Sequence, residues 1–349
     1  MNSTIRAGII GCGAVSSTHI EGFQSQQGVE VSWLCDIIEQ KAATQAAAYN
    51  IENITTDYRQ VLAADEVDCI VICTDHASHP EIAQAALEAG KHVLCEKALA
   101  ATAEGMDAMC ATHRKYPDLC LSGVFQHRFE HAPQLLKQCI EDGLFGRILT
   151  ASSHLYCRRT NAYYEADNWR GTWGKEGGSA LINQAIHYVD LLAWMMGGIK
   201  QVSGAYENLT HGNSIETEDT AAASCRFKEG ALGTIVTTTS ANLGWDPQIT
   251  ITGTEGTVEI RGEKVVRVVL KNKEQETELS NQLQEGIALP GMRAGKEYYG
   301  DGHNAQIADF IDAVRKRRQP FVTLESARHA VDVILAIYQS HHQNGWISI

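Results

Sequence analysis

Between residues 6 and 95 the chain alternates short apolar runs with helix-length segments, and that rhythm leaves very few architectures open. Residues 6–10, 29–35, 67–73 and 92–95 read as strands, and residues 14–24, the alanine-rich 39–49 and 80–89 as helices, the last ended by Gly90. Apart from Asp68, the run 67–73 is apolar throughout rather than at alternate residues, as in a strand covered on both faces. Strands of that kind alternating with helices imply a mainly parallel, doubly wound sheet.

After about Phe125 the pattern changes. Residues 132–141 and 179–196 read as helices, but 201–207, 220–227, 232–240, 248–252, 257–260 and 265–270 are strands joined by short turns such as Lys228-Glu229-Gly230. Hairpin-length connections favour a mainly antiparallel, open sheet, so this half is expected to be α+β. A glycine-rich, flexible-looking stretch, 286–302, precedes two closing helices at 304–316 and 326–340. A chain of 349 residues suits two domains. They are placed at 1–125, α/β, and at 126–349, α+β and including the closing helices.

Acidic side chains outnumber basic ones 42 to 29, for a net charge of -13. That excess argues against a partner made of nucleic acid and against an anionic membrane surface. No long apolar leader or spanning segment stands out, and the ten cysteines are scattered with no Cys-x-x-Cys pair, so a cytoplasmic chain with reduced thiols is the expectation.

Gly11-Cys12-Gly13-Ala14-Val15-Ser16 lies between the first strand and the first helix. There Gly11 permits a tight turn, Gly13 lets the backbone approach a pyrophosphate, and Ala14 and Val15 lead into a helix whose N-terminal amides favour anions. The next strand ends at Cys35-Asp36, roughly twenty residues on, where a carboxylate binds the adenosine ribose of a dinucleotide. Ile37 and Ile38 follow, and the nearest cation is Lys41, so NAD is favoured over NADP. Thr74, His76 and His79, just beyond the third strand, are expected beside this cofactor. His76 and His79 have a metal-like spacing but no third ligand, and no metal is expected.

Glu96 and Lys97 follow the strand 92–95, at the sheet edge where open α/β folds bind ligands. In the second half, Gly177-Gly178 opens an apolar helix on which Asn183, His187 and Asp190 fall four and three residues apart, hence on one face. Such a stripe is compatible with buried structural hydrogen bonds and equally with a reactive site. The segment from Arg158 through Tyr163 to Trp169 and Arg170 combines aromatic faces with cations, which suits a sugar and equally suits a packed loop.

Taken together, Gly11-Cys12-Gly13, residues 89–97, the helix from Gly177 to Asp190 and the closing 308–314 closely resemble the Gfo/Idh/MocA oxidoreductases over nearly the whole chain. The resemblance implies a Rossmann domain binding NAD(P), followed by an α+β domain whose open sheet has a substrate-facing side and often an oligomer-forming side. It implies Lys97 and His187 as the reactive pair, Asn183 beside them, and Glu96 near the nicotinamide ribose. Hydride transfer from a secondary hydroxyl of a sugar, glycoside, nucleotide sugar or inositol follows, at the seam between the domains, with Lys97, Arg158, Tyr163, Trp169, Arg170, Asn183 and His187 holding the carbohydrate. A homodimer or homotetramer is implied through the second sheet. The family commonly reads Glu-Lys-Pro, and position 98 is Ala here; position 183 is Asn, not the acid of inositol dehydrogenases. An NAD-dependent glycoside hydrolase and a non-catalytic dinucleotide sensor are the alternatives.

Overall fold

The computed structural model describes residues 4–262, 264–285 and 302–349; nearly all of the glycine-rich stretch 286–302 lies outside them. The chain separates into two compact units. One runs to Gln126 and takes in the described part of Arg293–Arg328, and the other holds His127–Met292 and His329–Ile349.

In the first unit β1 (Ile5–Ile10), α1 (Ser16–Gln24), β2 (Val29–Cys35), α2 (Glu39–Tyr49), β3 (Asn53–Thr55), α3 (Tyr58–Ala63), β4 (Cys69–Ile72), α4 (His79–Glu88), β5 (His92–Cys95), α5 (Ala103–His113) and β6 (Leu121–Gly123) follow one another. The six strands pair in parallel in the order β3-β2-β1-β4-β5-β6. That is the dinucleotide-binding order, whose direction reverses between β1 and β4. Every residue of β4 is buried, as a strand covered on both faces requires. Thr102 starts α5 by accepting a hydrogen bond from Gly105 N at 3.1 Å, and Pro80 lies in the first turn of α4, where its missing N–H costs nothing.

In the second unit come α6 (His131–Glu141), β7 (Ile148–Arg158), α7 (Asn161–Glu165), a π-helical turn (Ala180–Ala185) that runs into α8 (Ile186–Met195), β8 (Ile199–Glu207), β9 (Thr220–Phe227), β10 (Leu232–Thr238), β11 (Ser240–Gly253), β12 (Gly256–Arg261), β13 (Lys264–Leu270) and α9 (Lys273–Glu285). The chain continues as α10 (Gly302–Lys316), α11 (Leu324–Gln343) and β14 (Ile347–Ser348). The sheet has eight strands in the order β13-β12-β11-β7-β10-β9-β8-β14, antiparallel except where β10 runs parallel to β7.

One face of this sheet is covered and the other is not. Ala221, Ala223, Cys225 and Phe227 of β9 are buried while Ala222, Ser224 and Arg226 between them are exposed, the alternation of a strand with one wet side. Register carries the uncovered side across the sheet: Ala205, Ala222, Val236, His154 and Gln248 are successive partners, as are Ser203, Ser224, Thr234, Ser152 and Thr250.

The closing helices differ from their expected place wholly in the second domain, because α10 belongs to the first unit. Phe310 packs on Phe23 with ring centroids 6.4 Å apart, Ile307 joins the same core, and Gln306 donates to Gly123 O at 2.7 Å. The apolar face of α10 is therefore spent on the parallel sheet.

Among the described residues no helix is long and apolar enough to cross a membrane. All ten cysteines are free and nine are buried.

Candidate active site

The turn after β1 has the shape its glycines imply. Gly11 takes φ +95°, and a Cβ there would stand 2.5 Å from the carbonyl oxygen of Cys73 at the end of β4, so only glycine fits. A Cβ on Gly13 would meet nothing within 4 Å. The turn thus keeps open the space a pyrophosphate needs against the backbone, and the chain fits a bound dinucleotide. Ala14 and Val15 complete the turn, and Ser16 begins α1 with its Oγ donating to Gly13 O at 2.7 Å. Asp36, beyond β2, accepts from Cys12 N and Ile38 N, both at 2.8 Å. The carboxylate is thereby held against the glycine turn.

Of the residues after β4, His79 is fully buried and reaches Ala98 O at 2.7 Å and Thr74 O at 3.1 Å. Burial lowers its pKa, so the neutral ring donates to one of these carbonyls at a time. Both nitrogens face main chain, and His79 ties the β4 turn to the segment after β5. His76 is also buried, its ring centroid 5.9 Å from that of His79.

β5 delivers Glu96 and Lys97 to the same edge of the sheet as the glycine turn. Glu96 is buried, and its Oε1 lies 2.7 Å from Nε2 of His19 on α1 while its Oε2 accepts from Lys97 N at 3.1 Å. Burial alone would raise this carboxyl, but the His19 contact, with the neighbouring cationic groups, outweighs it and holds the pKa at about 2. Glu96 is a carboxylate at any working pH. Lys97 is partly exposed, and the Lys97–Ala98 peptide is cis. His19 has no motif around it; its one sequence signal is a polar residue on the inner face of α1.

In the second unit, Asn183 lies in the π-helical turn and His187 in the first turn of α8. The entry is a close fit: Gly178 takes φ +142°, and a Cβ there would stand 2.1 Å from Tyr338 Oη. Two buried carboxylates organise it. Glu176 accepts from Gly171 N and from Asn183 Nδ2, which fixes the orientation of the amide. Glu218 accepts from Ser179 N at 3.0 Å, Leu181 N at 2.8 Å and Tyr338 Oη at 2.8 Å. Burial outweighs these donors and pushes the Glu218 carboxyl up to about 7.

The expected polar stripe is divided among different tasks. Asn183 turns to Glu176, and Asp190 is buried against Arg128, whose Nε donates to Oδ2 at 2.8 Å and whose Nη2 donates to Oδ1. His187 sits edge-on to His127 at a centroid distance of 5.2 Å. His127 in turn stacks on Tyr188 at 5.5 Å and holds Glu130 through Nδ1 at 2.5 Å.

Of the segment expected to hold the carbohydrate, Arg158 is exposed at the end of β7, while Tyr163 sits on α7 with two guanidiniums against its ring, Arg159 at 5.1 Å and Arg170 at 4.7 Å from the ring centre. Arg170 also lies 5.0 Å from the ring centre of Trp169 and is paired with Asp167. Arg159, the next residue of the same segment, is half-buried where Arg158 is exposed, as expected of consecutive residues at a strand end, which point to opposite sides.

Comparison with known proteins agrees with this layout. Residues 5–124 match the NAD-binding Rossmann fold of the GFO_IDH_MocA oxidoreductase family, and residues 137–349 match that family's C-terminal alpha/beta domain. A Myo-inositol 2-dehydrogenase of Thermotoga maritima is 26% identical over 343 residues, covering 94% of this chain and 93% of its own. A levoglucosan dehydrogenase of Pseudarthrobacter phenanthrenivorans is 26% identical over 343 residues, 88% of this chain and 86% of its own. Among solved structures, the WlbA dehydrogenase of Bordetella pertussis in complex with NADH and UDP-GlcNAcA superposes with a TM-score of 0.88 at 28% identity, over 100% of this chain and 99% of that one. These are dehydrogenases, and they favour neither the hydrolase nor the sensor alternative. With both halves matched and the dinucleotide turn intact, the chain belongs to the Gfo/Idh/MocA family of oxidoreductases and is an NAD-dependent dehydrogenase acting on CH–OH groups.

Proposed function

We propose that this dehydrogenase oxidises a secondary hydroxyl of a sugar, glycoside, nucleotide sugar or inositol to the ketone. The observation that carries the reading is the placement of Glu96 and Lys97 at the sheet edge that also forms the glycine turn, with Glu96 held ionised by His19. Bound NAD supplies the hydride acceptor at its nicotinamide C4. The rest of the chemistry falls to the chain. An imidazole, with an ordinary pKa near 6.5, suits removal of the hydroxyl proton, which makes His187 the base. Lys97 donates to the same oxygen and polarises it. Asn183 orients the substrate and cannot take a proton; its amide is set by Glu176. Carbon loses hydride, oxygen loses its proton to His187, and the products are ketone, NADH and one proton.

The test is NADH formation at 340 nm with NAD and, in turn, inositols, free hexoses, simple glycosides and nucleotide sugars. Turnover is expected with a member of at least one class. Absence of NADH formation from every class would sink the reading.

We further propose that a second copy of this chain covers the open side of the eight-stranded sheet. Across the five strands β8, β9, β10, β7 and β11 its two central rows, from Ala205 to Gln248 and from Ser203 to Thr250, contain no Lys, Arg, Asp or Glu. Charges enter only with Arg261 and Glu259 on β12, so two copies can meet along these five strands without burying a formal charge from those rows. Light scattering is expected to give at least twice the 38.2 kDa of one chain. Thr234→Arg, in the middle of one row, is expected to return it to a monomer. A wild-type mass of one chain would refute the assignment.

A further inference from the structure

We propose that Arg159 is the counter-charge for an anionic group on the substrate, a carboxylate or phosphate oxygen, and so selects acidic over neutral sugars. The inference rests on the reading of the segment after β7 as substrate-facing. Arg159 donates through Nη2 to Gln184 Oε1 at 2.7 Å and through Nη1 to the main-chain oxygen of Arg158 at 3.1 Å. Its guanidinium lies 5.1 Å from the ring centre of Tyr163 and 5.2 Å from that of Trp245. None of these groups is negatively charged, and among the described residues no carboxylate lies within ion-pair distance of it. Its Nε is buried with no acceptor among the described residues.

Arg170 shares the Tyr163 ring but is paired with Asp167. Two guanidiniums on one ring with one carboxylate leave one positive charge over. A guanidinium cannot shed its proton, and aromatic faces and neutral acceptors offset only part of the cost of taking it out of water. A planar fork with an unused N–H matches two oxygens of a carboxylate or phosphate. The location suits a substrate contact, because Gln184 adjoins Asn183 and also donates to Tyr163 Oη at 3.0 Å, closing a ring of contacts between the segment and the π-helical turn.

The experiment is equilibrium binding to the NADH-loaded enzyme of glucose, glucuronate and glucose 1-phosphate, which separates a ring carboxylate from a phosphate as the anion. At least one anionic sugar is expected to bind about tenfold or more tightly than glucose, the preference shrinking with added salt. Arg159→Gln is expected to bring that preference to within about threefold while the glucose affinity holds, and Arg159→Lys to keep part of it. Equal wild-type affinities for all three would overturn the proposal even if Arg159→Gln did not fold. So would an unchanged preference in a folded Arg159→Gln. Anion-selective binding with no NADH formed from any carbohydrate would count against the proposed oxidation and leave the role of Arg159 standing.

Discussion

Replacing His187 by Gln, or Lys97 by Met, is expected to lower turnover by about 10² to 10⁴ with little change in affinity for NAD. Each change removes a proton-handling group and keeps much of the side-chain volume. The two should separate in their pH response. Turnover by the wild type is expected to rise with pH as an imidazole deprotonates, and that rise should vanish in His187→Gln and survive in Lys97→Met. Steady-state rates at 340 nm across pH 5–9, with cofactor affinity from NADH fluorescence, check both. Near-wild-type turnover in both variants would remove this pair from the chemistry.

Arg128→Leu is expected to be the most damaging single change to stability described above, costing about 3–5 kcal/mol. Arg128 and Asp190 are both buried and bonded through two oxygens, so loss of the guanidinium strands a carboxylate out of water. Burial already raises the Asp190 pKa in the presence of its partner. Without Arg128 the group is driven further toward its protonated form, so the deficit should be largest at neutral and higher pH and shrink in acid as Asp190 takes up a proton. The double change Arg128→Leu with Asp190→Leu should recover most of the loss, because two apolar groups leave no buried charge. Urea denaturation of the four proteins at two pH values measures this. A double variant no more stable than Arg128→Leu alone would mean the pair is not the source.

The parallel sheet was legible because its strands carry one signal, continuous apolar residues, and its glycine turn a second. The antiparallel sheet was legible only in part. Its central strand β7 is not legible in the sequence: its buried residues alternate, Ala151, Ser153, Leu155 and Cys157, but only Leu155 is a large apolar side chain, too weak a signal for an apolar alternation. The placement of α10 was beyond local reading, since Gln306 finds its partners at Gly123 and Phe125, some 180 positions away. At the site, residue identity points to Glu96, Lys97, Asn183 and His187, but not to the groups that hold two of them, His19 at Glu96 and Glu176 at Asn183. Glu176 reads as an ordinary loop acid before two glycines, and only the fold turns it onto Asn183.

The π-helical turn at Ala180–Ala185 sets the phase between Asn183 and His187. Asn183 N and Gln184 N both point at Ser179 O, at 3.0 and 3.3 Å, so the backbone carries a wider turn just ahead of regular helix. Shortening this stretch by one residue would regularise the helix and turn everything before the cut by about 100° relative to His187. A one-residue deletion here would therefore part Asn183 from His187 even with every remaining side chain unchanged, so the length of the turn is itself a determinant of the site.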